Sequence, residues 1–111
     1  MKINQNAWNK NAHVLYLESP AGVGFSKGKP ESLITNDTGT ARDNLLALTR
    51  FFEKFPSLKA NDFYLAGESY AGIYIPRLAE EIVISNSQEG SEEKKINLKG
   101  ILLGNACTHP T

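Results

Sequence analysis

The stretch Asp62-Phe63-Tyr64-Leu65-Ala66-Gly67-Glu68-Ser69-Tyr70-Ala71-Gly72 decides how this chain folds. Phe63 to Ala66 is an apolar, aromatic-rich run that reads as a buried strand, and it breaks at Gly67 into small residues before a helical pattern begins. A strand, a sharp turn and a helix in that order push a serine hydroxyl out of the sheet edge, beside the unpaired N–H groups of the helix's first turn. Ser69 is therefore the candidate nucleophile. So tight a turn brings backbone against backbone, and Gly67, Ala71 and Gly72 are the small neighbours it needs. The general form of the turn has glycine two places before and two places after the serine; here the second position is Ala71. The N–H of Tyr70, next after Ser69, points where negative charge develops in a tetrahedral intermediate, which makes Tyr70 the candidate oxyanion-hole donor.

On the amino-terminal side, His13-Val14-Leu15-Tyr16-Leu17 is a near-continuous apolar run of the kind buried on both faces of a parallel sheet. His13 opens it as a solvated or backbone-bonded strand-end residue, since acid–base work requires a partner within reach. Glu18 to Ser26 follows as a glycine-rich loop. Its spacing is compatible with a phosphate cradle, but no Gly-Lys-Ser/Thr ending and no clear helix start follow, so close packing of the loop is the preferred reading. Lys27 to Asn36 is a connector bearing Gly, Pro and Ser, and Asn36-Asp37-Thr38 is an N-glycosylation sequon for a chain that enters a secretory lumen. Asp37, Thr38 or Thr40 can cap the helix that follows, on which Ala41, Leu45, Leu48, Phe52 and Phe55 share one face. Pro56 ends that helix near Phe55, and Arg42, Asp43, Arg50, Glu53 and Lys54 form its solvated side.

Beyond Ser69, a second helix carries Ile75, Leu78, Ala79, Ile82 and Val83 toward the core, with Pro76 in its first turn or at a kink. Arg77, Glu80 and Glu81 face water. Asn86 to Lys95 is polar and reads as a mobile surface connection, and Ile96 to Leu103 as a third strand. The order strand, helix, strand, helix, strand predicts one α/β domain over residues 1–111, with three parallel strands joined by right-handed crossover helices (βαβαβ). Glu18, Ser69 and Asn105 then share one edge of the sheet.

Lys and Arg together number 12, as do Asp and Glu, so the zero net charge makes no case for nucleic acid, an anionic membrane surface or a strongly charged substrate. Cys107 is the single cysteine, which excludes an intrachain disulfide. No apolar run approaches the length of a membrane span, and the opening Met1 to Ala7 lacks the apolar core of a secretion signal. No cofactor and no metal are expected.

The longer string Gly67-Glu68-Ser69-Tyr70-Ala71-Gly72-Ile73-Tyr74-Ile75-Pro76 resembles the nucleophile region of the serine carboxypeptidases. Asn9 to Ser26 is similar to that family's strand and glycine-rich turn, and Lys99 to Asn105 to its following strand, so the resemblance covers nearly the whole chain. Where members often have tyrosine after the Phe25–Ser26 pair, this chain has Lys27. The resemblance implies a partial α/β-hydrolase core and an exopeptidase that removes C-terminal residues of peptides or proteins through an acyl-enzyme. It also implies that Glu68 helps hold the substrate's terminal carboxylate: ionised, Glu68 repels that group; protonated, it donates a hydrogen bond. A vacuolar, lysosomal or secreted location follows on the same ground.

Members of the family are about three to four times longer than this chain, so Met1 falls mid-domain and reads as the product of truncation or gene modelling. A serine hydroxyl needs a histidine to take its proton and a carboxylate to orient that histidine, and in the α/β-hydrolases both come later in the chain. The resemblance implies that the second oxyanion donor comes from a glycine-rich segment upstream of Met1. Taken alone, these 111 residues are expected to be catalytically silent and poorly stable. His109 stands in Thr108-His109-Pro110, where members usually show Thr-Asp-Pro, and is read as a loop residue in preference to a base. Two rival readings remain: an acyltransferase that passes an acyl group from a sugar ester to another alcohol, and a truncated or degenerate copy that is inert or serves as a binding module. The sequon generates a first prediction. Material made through a secretory pathway is expected to carry a glycan on Asn36, read as a mass loss on enzymatic deglycosylation; an unmodified Asn36 in secreted protein overturns it.

Overall fold

Two apolar runs and two amphipathic stretches become, in the computed structural model, which describes residues 2–90 and 92–108, two strands and two long helices. These are α1 (Asp37–Lys54), β1 (Phe63–Glu68), α2 (Ala71–Ser87) and β2 (Leu98–Gly104). β1 and β2 run parallel, with Phe63 beside Leu98 and Glu68 beside Gly104. Parallel neighbours cannot be joined by a tight turn, and α2 is the crossover between them.

α1 is capped one residue before any of the caps expected from sequence. Asn36 is extended (φ −136°) and its side chain accepts the Gly39 N–H at 2.8 Å, so Asp37 falls inside the first turn, where the helix dipole favours its negative charge. At the other end Phe55 donates its N–H to Phe51 O at 2.9 Å and Pro56 prevents continuation. Leu48 and Phe52 of α1, Leu65 of β1, Leu78 and Ile82 of α2, and Ile96 just before β2 bury one another. The Phe52 ring meets Phe63 edge-on at 5.5 Å, tying α1 to the strand that leads to Ser69.

Two positions of the expected helix faces lie outside this core. Ile82 is 0% exposed while its neighbour Val83 is 60% exposed, because one residue turns the helix by about 100° away from the sheet and α1. Phe55 is also exposed, since it follows the last turn of α1. Pro76 sits in the interior of α2, beyond the first turn. Asn86 belongs to α2, not to the connection after it: its amide donates to Ile96 O at 2.8 Å and its carbonyl accepts from Ile96 N at 2.9 Å. That paired contact copies the hydrogen-bond exchange of two strands and delivers the chain to β2.

The sheet has two strands among the described residues, where three were expected. His13 to Leu17 makes no ladder, and Leu15, Tyr16 and Leu17 are exposed. An apolar run becomes a strand only where a neighbouring backbone completes its hydrogen bonds, and neither β1 nor β2 pairs with it. Glu18 therefore lies outside the sheet, while Ser69 and Asn105 stand together at its carboxyl edge. No helix of the described residues is long and apolar enough to cross a membrane.

The contrast within α2 is testable. Ile82→Ala is expected to cost about 2–5 kcal/mol and Val83→Ala no more than about 0.5 kcal/mol, measured by urea unfolding of the protein. Equal losses would mean that the buried face of α2 is misplaced.

Candidate active site

β1 ends at Glu68 and α2 begins at Ala71, leaving Ser69 and Tyr70 to make the whole turn. Ser69 takes φ +60°, the left-handed region that a side chain disfavours. Three backbone hydrogen bonds hold it there: Ser69 N–H donates to Gly104 O at 3.1 Å, and Ser69 O accepts from Gly72 N at 3.0 Å and from Cys107 N at 2.8 Å. Strain of this kind persists only where the surroundings over-determine it. Because a peptide unit is planar, the two bonds to Ser69 O also set the direction of the N–H on the same unit, which belongs to Tyr70. That N–H has no acceptor among the described residues.

The need for small residues is steric and local. A Cβ on Gly67 would stand 2.5 Å from the Ala71 Cβ, and one on Gly72 would stand 2.5 Å from Cys107 O. Ala71 is thus tolerated as the second small position only because Gly67 has no side chain. The Ser69 side chain is exposed and makes no hydrogen bond among the described residues. Glu68 is exposed too, on the strand face shared with Tyr64 and Ala66, and it makes no hydrogen bond or ion pair among the described residues.

Tyr70 is 42% exposed, and its ring packs edge-on against Tyr74 with centroids 4.9 Å apart. Its hydroxyl lies 3.3 and 3.4 Å from the two oxygens of Asp37. Partial burial first, and the Asp37 carboxylate next, hold the phenol above the ordinary tyrosine range. It is therefore the donor in that contact. Asp37, Gly72, Ile73 and Arg77 line an open groove of about 570 Å³ beside the turn.

The other expected residues lie apart from this turn. His13 is exposed and makes no hydrogen bond or ion pair among the described residues; His109 lies outside the described residues. In the glycine-rich loop, Glu18 Oε2 accepts the Phe25 N–H at 2.6 Å, and Gly24 (φ +53°) has no room for a Cβ beside that carboxylate. A carboxylate inside the loop is the wrong charge for a phosphate cradle. Asn36 caps α1 through its side-chain oxygen, and on this exposed residue the amide nitrogen makes no hydrogen bond among the described residues. Cys107 is a half-buried free thiol, and no group of three His, Cys, Asp or Glu among the described residues could hold a metal.

This strand, left-handed serine and helix accompany a match to the family model described as serine carboxypeptidase, over residues 1–111. The chain belongs to the serine carboxypeptidase family. Serine carboxypeptidase-like 32 of Arabidopsis thaliana is 51% identical over 110 residues, which are 97% of this chain and 24% of that protein. The vacuolar serine-type carboxypeptidase ATG42 of Saccharomyces cerevisiae is 46% identical over 107 residues, 96% of this chain and 20% of that one. Among solved structures, the Saccharomyces cerevisiae prohormone-processing carboxypeptidase Kex1 superposes with a TM-score of 0.70 at 31% identity, over 81% of this chain and 20% of that one. The chain thus spans about a quarter or less of the length of these relatives. The α/β-hydrolase type of fold is shared with that serine carboxypeptidase structure.

Sequence reasoning missed two parts of this site. The backbone of Gly104 and Cys107 clamps Ser69, and Asp37, read only as a helix cap, meets Tyr70 from 33 residues away. Periodicity carries no signal for either, because both are contacts between elements. The strain at Ser69 is measurable: Ser69→Gly is expected to be more stable than Ser69→Ala by about 1 kcal/mol, since only glycine takes the left-handed conformation freely. Equal urea midpoints would remove the strain from the account.

Proposed function

We propose that Ser69 is the nucleophile of a serine-type carboxypeptidase acting on peptide or protein C-termini. The observation that carries this reading is the positive φ of an exposed serine between a strand and a helix, in a chain of this family. Ser69 Oγ attacks the carbonyl carbon of the last peptide bond while a histidine takes its proton. The carbonyl oxygen becomes the oxyanion and accepts the Tyr70 N–H. The histidine then protonates the leaving amine, the terminal amino acid departs, and water releases the acyl group by the same steps in reverse. On this reading the histidine, its carboxylate and the second oxyanion donor come from outside the described residues.

Glu68 takes the substrate's terminal carboxylate, an assignment supported by its exposed position next to Ser69 and its lack of any partner among the described residues. A carboxylate can be received by Glu68 only while one proton is shared between the two groups, so peptide binding weakens as pH rises. The similarity to the vacuolar carboxypeptidase ATG42 fits such acid-favoured chemistry, and we assign this chain to a vacuolar, lysosomal or secreted setting, where the Asn36 sequon would also be read.

In a complete catalytic domain carrying this segment, Ser69→Ala is expected to lower peptide turnover by about 10⁴ to 10⁶ with unchanged thermal unfolding, and a loss under about tenfold rejects the nucleophile. Glu68→Gln keeps a donor that needs no proton. It is expected to flatten the fall of kcat/KM for peptides between acid and neutral pH, with little effect on esters lacking a free carboxylate. A mutant profile that overlays the parent's contradicts the role.

A further inference from the structure

We propose that Asp37 is a positioning residue for the catalytic turn: its carboxylate, in the first turn of α1, holds the Tyr70 hydroxyl and so steadies the backbone N–H that Tyr70 presents beside Ser69. The inference rests on the reading of Ser69 as nucleophile and Tyr70 as oxyanion donor.

The oxygen end of the Ser69–Tyr70 peptide unit is held by Gly72 and Cys107. Its other end is the Tyr70 Cα, at the helical conformation φ −61°, ψ −18°; that atom is held through the Tyr70 carbonyl, which accepts the Ile73 N–H at 2.9 Å, and the Tyr70 side chain is a further handle on it. This handle is gripped twice, by the Tyr74 ring along its length and by Asp37 at its tip. Both oxygens of Asp37 share the phenol at 3.3 and 3.4 Å, a stretched, three-centre contact that limits sideways swing of the ring.

Asp37 is itself placed with care. The Asn36 cap fixes the first turn of α1, and with it the position from which the Asp37 carboxylate accepts the phenol. It makes no ion pair with a cation among the described residues, so the phenol is the donor it has there. The contact also crosses from one helix start to another: α1 begins at Asp37 and α2 begins beside Tyr70. A displaced α1 therefore moves the oxyanion donor directly.

A group that improves alignment in the transition state alone changes kcat and leaves KM nearly untouched. The test uses a complete catalytic domain carrying this segment, with Asp37→Ala, Asp37→Asn, Tyr70→Phe and the Asp37→Ala/Tyr70→Phe double variant. Asp37→Ala is expected to lower kcat, and the rate of labelling by a fluorophosphonate, about tenfold with KM within about twofold. Tyr70→Phe should match it, the double variant should be no worse than either single one, and Asp37→Asn, which keeps an acceptor, should recover most of the rate. Losses that multiply in the double variant, or a parent-like kcat in both Asp37→Ala and Tyr70→Phe, overturn the proposal. If Asp37→Ala does not fold, the near-isosteric Asp37→Asn and Tyr70→Phe decide: a kcat loss in Tyr70→Phe with unchanged KM supports it, and parent-like rates in both reject it. Ser69→Ala is run alongside. Activity surviving there rejects the nucleophile itself, whereas activity lost there but kept in the Asp37 and Tyr70 variants rejects only the inference.

Discussion

The carbonyl of Ser69 accepts two backbone N–H groups, from Gly72 in the following helix and from Cys107 beyond the second strand, while its own N–H donates to Gly104. These three bonds join β1, α2 and the end of β2 at one residue whose backbone is in the left-handed region. An isolated serine would leave that region at a gain of about 1–2 kcal/mol. Packing must therefore prevent the escape. The Gly72 contact shows how: its Cα lies so near Cys107 O and Ala106 Cβ that there is no room for a side chain, and the helix start cannot back away from β2 without losing the bond.

Support for this junction comes from the core behind it. Leu65 anchors β1 four residues before Ser69, and Leu78 and Ile82 anchor α2 beyond it, so both arms of the turn are tied to the same apolar cluster. α1 closes that cluster with Leu48 and Phe52, and Phe52 reaches Phe63 at the start of β1. One face of the sheet is covered in this way. The opposite face carries Tyr64, Ala66 and Glu68 outward, and Glu68 stands at the end of that row beside Gly104, next to the serine.

Backbone geometry at the turn and side-chain chemistry around it are supplied by different parts of the chain. The small residues Gly67, Ala71 and Gly72 serve steric ends, whereas Glu68 and Tyr70 present exposed polar side chains on either side of Ser69. The glycine-rich loop after Leu17 is organised separately, by its own Glu18 accepting the Phe25 N–H. Gly24 serves the tight approach of backbone to that carboxylate, while Gly22 (φ +92°) lies against Leu33.

The sequence by itself determined the strand, turn and helix around Ser69, the family, the face of α1 and the end of that helix at Pro56. Each is local: the spacing of apolar residues, the lack of side chains at Gly67 and Gly72, or the missing N–H of a proline acts within a few residues. It misled where a residue's fate depends on what lies opposite. Val14 to Leu17 has the composition of a buried strand and no ladder partner among the described residues; Val83 is apolar but one helical step off the core; Asn86 reads as loop and is a clamp on Ile96. Only the tertiary structure decided that Asn36 caps α1, that Asp37 meets the hydroxyl of Tyr70, and that Gly104 and Cys107 lock Ser69. Those contacts join elements tens of residues apart or depend on which of several equivalent caps the packed chain selects, and hydrogen-bond partners at that distance leave no periodic trace in the sequence.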